Sequence, residues 1–214
     1  MARTPKGSLL AVATAFGPSQ PTTIVTNASE AVVTCTAHGY VNGDIVEVVS
    51  GWSRLQKRAL RVKSVAANTF VLDGFDSTNT SIFPVGAGIG SVRKVATWVQ
   101  LSTVMSPSSS GGEAKKVTYE FLESDIEFNI NNGFTAVDRE IKLDADSIGT
   151  PGYTALRNLT DVQTDTILRT LAKSGAVSFL PCTVALNEEE VEDQGIAAVR
   201  CTFSGNNRST RYAS

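Results

Sequence analysis

Thr160 to Gly175 reads TDVQTDTILRTLAKSG, and the character assigned to it sets the architecture of everything around it. Thr160 is placed to N-cap a helix, and Gln163, three residues on, can reach back to complete a capping box. Asp161 falls in the first turn, where the helix dipole favours an anion. Arg169 and Lys173 fall near the end, where it favours cations. Val162, Leu168, Leu171 and Ala172 share one helical face, with Ile167 at its border, and Ser174-Gly175 supplies a stop. These signals predict one helix, over 161–173, in a chain that otherwise reads as strands. One helix among strands implies a sheet with that helix packed on it or across its open end.

Downstream, 176–186 reads as a strand with Pro181 at a bulge or edge. NEEEVEDQ (187–194) reads as an acidic loop, and 195–204 as the last strand before a polar tail carrying Arg208, Arg211 and Tyr212. Upstream, Pro151-Gly152 ends a section, with a short helical turn over 153–158. In 137–145, Ile141, Leu143 and Ala145 alternate with Glu140, Lys142 and Asp144, the mark of a half-buried strand. Val117, Tyr119 and Phe121 fall on odd positions, whereas Ile126, Phe128 and Ile130 fall on even ones. A regular strand cannot change parity, so 122–125 must hold a bulge or a turn. Asn131-Asn132-Gly133 predicts a further turn. Ser106–Gly112, SPSSSGG, is the most flexible stretch. Its flanks, 97–105 and 114–121, read as strands, so it is expected at the tip of a long hairpin.

Residues 22–95 read as a small all-β unit. Its short β-branched runs (22–26, 31–36, 45–49, 60–64, 69–72 and 91–98) recur at the spacing of a small barrel or sandwich. Residues 1–21 read as an N-terminal arm that needs a sheet or a neighbouring subunit to pair with. Its apolar run is too short to span a bilayer and is a weak signal-peptide candidate, with Thr14 interrupting it.

An apolar fraction of 42% is enough for a real core, and the net charge of −2 argues against wholesale nucleic-acid or membrane binding. The charge is unevenly spread: residues 1–100 carry 9 basic and 5 acidic residues, and residues 101–214 carry 10 basic and 16 acidic. The halves, at +4 and −6, are compatible with head-to-tail self-association. Cys35, Cys182 and Cys201 share no metal-type spacing and read as buried small residues. The single histidine, His38, sits among turn residues without a catalytic partner. Gly86, Gly88 and Gly90 lack the helix and Lys-Ser/Thr that a phosphate loop requires. Arg54, Lys57, Arg58, Arg61 and Lys63 beside Trp52 form a basic run with too few aromatics for a single-strand platform. Glu120, Asp125, Glu127, Glu140 and Asp144 recur on what read as solvent faces of strands, which fits a solvated or functional acidic surface better than a carboxylate pair for catalysis. No enzyme, cofactor or metal is expected.

Two resemblances follow. HGYVNGDIVEV (38–48) with ANTFVLDGFDS (67–77) resembles a small β-barrel module related in fold to the first catalytic-cysteine half-domain of ubiquitin-activating enzymes, a module common in phage structural proteins; no ubiquitin chemistry is implied. Residues 97–214 are similar to the major tail tube proteins of tailed phages. The shared features are a strand pair with a Ser/Gly loop, an acidic strand region, one helix ending in KSG, the strand AVSFLP, an acidic turn and a last strand closing on GNNRSTRY.

The tail-tube resemblance implies a mainly β fold: a β-sandwich or partial barrel with one flanking helix over 96–214, joined to the all-β module. It implies a structural virion protein, assembled in the host cytoplasm into stacked hexameric rings. Other tail proteins, such as terminator and tip components, would be its partners, and DNA would pass through the lumen without any membrane contact. Glu120, Asp125, Glu127, Glu140 and Asp144 are then lumen-facing candidates. Asp165, Arg169 and Lys173 on the helix, with Ser108, Ser109 and Gly111 in the loop, are subunit-contact candidates, and the arm would contribute to ring stacking. A phage or cell-surface module binding a receptor or glycan is the alternative.

Overall fold

β-Branched and aromatic residues in alternation build strands that bury one face, and almost every apolar run in this chain does so. The computed structural model describes residues 6–213. The first strands are β1 (Leu9–Phe16), β2 (Gln20–Thr22), β3 (Ile24–Val25), β4 (Val32–Thr34), β5 (Ile45–Ser50), β6 (Arg58–Lys63), β7 (Thr69–Leu72) and the long β8 (Gly90–Leu101). The second half holds β9 (Ser108–Gly111), β10 (Ala114–Tyr119), β11 (Phe128–Phe134), β12 (Val137–Asp144), the helix α1 (Pro151–Val162), β13 (Thr166–Leu171), β14 (Val177–Asp193), β15 (Ile196–Gly205) and β16 (Thr210–Tyr212).

One antiparallel path runs β3-β4-β7-β6-β5-β8-β1-β13-β14-β15-β12-β9, with β2 added to β8 and β16 to β14. It curls into a half-barrel, and the chain is mainly β with one helix. β8 contributes to three cores, with Val95 in the third. Val92 packs with Trp52, Leu60, Phe70 and Leu72. Leu101 packs with Leu10, Val12, Ile141, Leu156, Leu168, Cys182 and Phe203 inside the curled sheet. On the other face of β1, β13 and β14, Ala13, Ile167 and Phe179 meet Ala59 and Tyr212. The Tyr212 hydroxyl accepts from the Arg61 N–H at 2.8 Å there, tying β16 to β6.

The helix lies earlier than the sequence predicts. Of the expected 161–173 only Asp161 and Val162 are helical, as the end of α1, which is Pro151–Val162. Thr150 caps it, accepting from the Tyr153 N–H at 3.3 Å, and Pro151 opens it at the first-turn position where a missing N–H costs nothing. Gln163 ends it in the left-handed region, its N–H bonded to the Leu159 carbonyl. Tyr153, Ala155 and Leu156 are its buried face, packed on β14, β8 and β1. Thr160, expected as the N-cap, lies in the last turn. Its hydroxyl donates to the Leu156 carbonyl at 2.8 Å and accepts from the Leu186 N–H at 2.9 Å.

TILRTL is instead strand β13, paired with β1 and β14. Leu168 enters the half-barrel core and its neighbour Ile167 enters the core on the opposite face. A strand sends adjacent residues to opposite faces, whereas a one-faced helix does not. The Thr166 hydroxyl, buried between them, donates to the Ala13 carbonyl at 2.5 Å.

Of the two partners expected for the arm, its own sheet supplies one: Leu9–Phe16 is a central strand between β8 and β13; residues 1–5 lie outside the described residues. Three further expectations are corrected. SPSSSGG is no hairpin tip: Ser108–Gly111 pairs with β12 at the sheet edge, and 114–119 pairs with β11 rather than with β8. Asn131-Asn132-Gly133 lies inside β11, where a bulge sets Asn132 and Gly133 opposite the single residue Lys115. NEEEVEDQ continues β14 through a bulge between Asn187 and Glu190, and the turn comes only at Gln194-Gly195.

Candidate assembly surfaces

β10 and β11 form a hairpin held apart from the main sheet. Its register places Val117 opposite Ile130 and Tyr119 opposite Phe128, so the parity change noted in the sequence is the chain turning back with both apolar sets on one face. Tyr119 and Phe128 stack at 5.5 Å between ring centroids, and Phe121 sits edge-on to both. Lys116 and Thr118 face Asn131 and Asn129 on the other side. Among the described residues nothing packs on the apolar face beyond Arg208 over Phe134: Val117, Phe121, Ile126, Ile130 and Phe134 are all half exposed or more, and Leu122 is 104% exposed. A two-stranded hairpin with an uncovered apolar face is marginal in water, and contiguous exposed apolar surface marks an interaction site.

Gly111 directs the chain from β9 into this hairpin. Its φ is +77°, and a Cβ there would stand 1.8 Å from the Ala136 carbonyl oxygen, so only glycine fits. This intramolecular demand accounts for a residue expected at a subunit contact. Ser108 and Ser109 are exposed on β9, opposite Glu140 and Arg139.

The five carboxylates expected on one acidic face are divided. Glu140 and Asp144 lie on β12, on the face opposite the buried Ile141 and Leu143. Glu120, Asp125 and Glu127 lie in the 120–127 connection at the tip of the hairpin. The β12 face also carries Lys142 and, from β15, Arg200. Both cations are paired: Lys142 with Asp193 at 3.0 Å and Arg200 with Glu140 at 3.2 Å. Hydrogen bonds from the Ser106 hydroxyl and then Lys142 hold the Asp193 carboxyl below the usual range. Asp144 accepts from the Asp146 N–H at 3.0 Å, capping a short 3-10 turn at Ala145–Ser147.

Asp165, Arg169 and Lys173 do not share a helix face. Asp165 precedes β13 and is satisfied within the chain, by Lys57 at 2.7 Å and the Asn206 amide at 2.7 Å. Arg169 is on β13, its guanidinium 4.7 Å from the centre of the Trp98 ring, and burial holds its pKa below the usual value. Lys173 is exposed in the turn between β13 and β14. The sequence did not point to the anchor at the acidic run: Glu188 accepts from the Tyr153 hydroxyl at 2.9 Å and from Arg157 at 2.6 Å, joining β14 to α1. Its one visible signal is the 153/157 spacing, which puts both partners on one side of a helix.

Elsewhere, side chains that carry chemistry in other proteins have structural duties here. Cys35, Cys182 and Cys201 are buried and free, and burial pushes the Cys182 thiol up to about 12. His38 is buried against Tyr40 and Phe70, its Nδ1 accepting from the Tyr40 N–H at 3.0 Å. The glycine loop wraps the buried Trp52: a Cβ on Gly88 would stand 2.9 Å from the indole, and the indole N–H donates to the Pro84 carbonyl at 2.8 Å. Much of the basic run is neutralised, Lys57 by Asp165, Arg61 by Asp73 at 2.6 Å, and Lys63 by Asp73 and Glu30. Among the described residues no cluster of His, Cys, Asp and Glu is placed to hold a metal, and no helix is long and apolar enough to cross a membrane.

A family model described as phage tail tube protein matches residues 50–214. The matched segment starts at the last residue of β5 and includes the hairpin, α1 and the half-barrel strands from β9 onward. No curated protein matches the chain significantly.

Proposed function

The chain belongs to the phage tail tube protein family, a structural component of the virion tail, and we propose that it assembles into hexameric rings that stack into a tube through which DNA leaves the particle. The observation that carries this is the hairpin. Its apolar face is large and left uncovered by the other strands among the described residues, so another copy is its natural partner. Assembly takes place in the host cytoplasm, and terminator and tip proteins close the two ends.

In this reading the face of β12, β15 and β14 that points away from α1 lines the lumen. It carries Asp138, Glu140 and Asp144 among Thr183, Thr202 and Ser204, and its two cations are each tied to a carboxylate. DNA phosphates would find no free positive charge there, which favours sliding over adhesion. Glu120, Asp125 and Glu127 travel on the hairpin tip, away from the β12 face, and fall at the junction between rings. Arg169 and Lys173 are proposed as contacts between neighbours in a ring, with Ser108 and Ser109 at the edge strand β9, whose outer hydrogen-bonding groups are open to pairing. Asp165, already paired, contributes by holding 22–95 against the tube body.

Electron microscopy of the purified chain tests the proposal. Rings or tubes support it, whereas a stable monomer with affinity for a glycan supports the receptor-binding alternative.

A further inference from the structure

At the root of the hairpin, where the 22–95 unit meets the half-barrel, lies an open cleft of about 540 Å³. Its floor is apolar, with Phe75 and Phe83, and its rim carries Arg54, Arg58 and Arg208. None of the described residues pairs with the exposed Arg54. Arg208 lies over the Phe134 ring at 4.9 Å. Arg58 reaches Thr210 at 3.3 Å, while its Nε has no hydrogen-bond partner among the described residues. The one acid among the lining residues, Asp76, is occupied by Thr78 at 2.9 and 2.7 Å. Three arginines over an apolar floor form a receptor for an acidic, apolar segment.

The chain carries such a segment. The hairpin tip, EFLESDIE (120–127), holds Glu120, Glu123, Asp125 and Glu127, none of them in an ion pair among the described residues, around the exposed Phe121, Leu122 and Ile126. It cannot reach the cleft of its own chain. Phe134 lines that cleft, and β11 carries the tip away from Phe134 over six residue steps, roughly 20 Å at ~3.3 Å per residue. We propose that the 120–127 tip of one copy docks in the Arg54–Arg208 cleft of a second copy, with Leu122 over Phe75 and Phe83 and the acids on the arginines. Donor and receptor are different patches of the same chain. Such a contact is heterologous, and where the rotation between copies does not close a ring it repeats in one direction, which is the geometry of a stack. The proposal rests on self-assembly as set out above and names the surface that performs it.

Charge reversal with rescue tests the pairing in the full-length chain. Arg54→Glu with Arg208→Glu is expected to lower tube yield at least tenfold while circular dichroism and Tm stay unchanged. Adding Glu123→Arg and Asp125→Arg to that variant is expected to restore tubes. A second variant, Leu122→Cys with Asn207→Cys, is expected to give a ladder of disulfide-linked oligomers on oxidation, since the native thiols are buried. Wild-type tubes with an unimpaired Arg54→Glu, Arg208→Glu variant would overturn the cleft assignment and leave self-assembly standing, as would tubes of the cysteine pair that yield no ladder. Failure of the wild-type chain to assemble under any condition would remove the self-assembly reading itself, and this one with it.

Discussion

Replacing Phe121, Leu122 and Ile126 together by serine removes the apolar tip without touching any of the three cores. Full burial of such a side chain is worth about 1.5–3 kcal/mol. Leu122, at 104% exposure, has the whole of this still to gain, and Phe121 and Ile126, at 52% and 65%, have half to two thirds. The gross contribution at an interface is therefore ~4 kcal/mol. Ordering side chains at the interface costs roughly 0.5–1 kcal/mol each, which leaves about 2 kcal/mol, or about a thirtyfold weaker contact. The assay is a pelleting measurement of the critical concentration for assembly, run beside a thermal melt of the unassembled chain. The expected result is a critical concentration raised about thirtyfold at constant Tm. A lower Tm with unchanged assembly would refute the reasoning, because it would mean the tip packs on its own chain.

Other substitutions report on the fold and the channel. Leu156→Ala, at a fully buried position of α1, is expected to cost ~2–5 kcal/mol and lower Tm by roughly 5–15 °C, measured by calorimetry. Glu140→Lys with Asp144→Lys is expected to leave tube assembly intact and to slow DNA ejection from particles carrying the variant; ejection at the normal rate would exclude this face from the lumen. Asp193 titrates below the usual range, so its bonds to Ser106 and Lys142 stabilise the fold above the unfolded carboxylate value near ~3.9 and are lost as pH falls through the lower folded value. The Tm difference between wild type and Asp193→Asn is accordingly expected to hold from pH 7 to about 5 and to close below about pH 4.

The strands that alternate were legible because alternation is itself the physical cause of a half-buried strand. Ile141 and Leu143 against Glu140 and Lys142 is the clearest case, and the parity change between Phe121 and Ile126 located the hairpin turn. The helix was misplaced because TDVQTDTILRTLAKSG carries the capping, dipole and periodicity signals of a helix while the fate of its second half is decided by two cores that only the folded sheet creates, one for Ile167 and one for Leu168. Thr150-Pro151, a capping residue followed by proline, carried the true start; the proline is equally a terminator, and only the docking of Leu156 decides between them. Ser108–Ser110 carry no side-chain signal for a strand, since β9 is held by backbone bonds to β12. The acidic face was half legible. Glu140 and Asp144 follow from β12, but Glu120, Asp125 and Glu127 depend on a hairpin that leaves the main sheet.

The central claim, that this chain builds a stacked tube in which the hairpin is the joint, is tested most directly by a cryo-electron microscopy reconstruction of the assembled protein. The account predicts six subunits per ring, β12 facing the lumen and residues 120–127 buried against Arg54 and Arg208 of a subunit in the next ring. A tube in which the hairpin projects into solvent, or a chain that stays monomeric at high concentration, would contradict it.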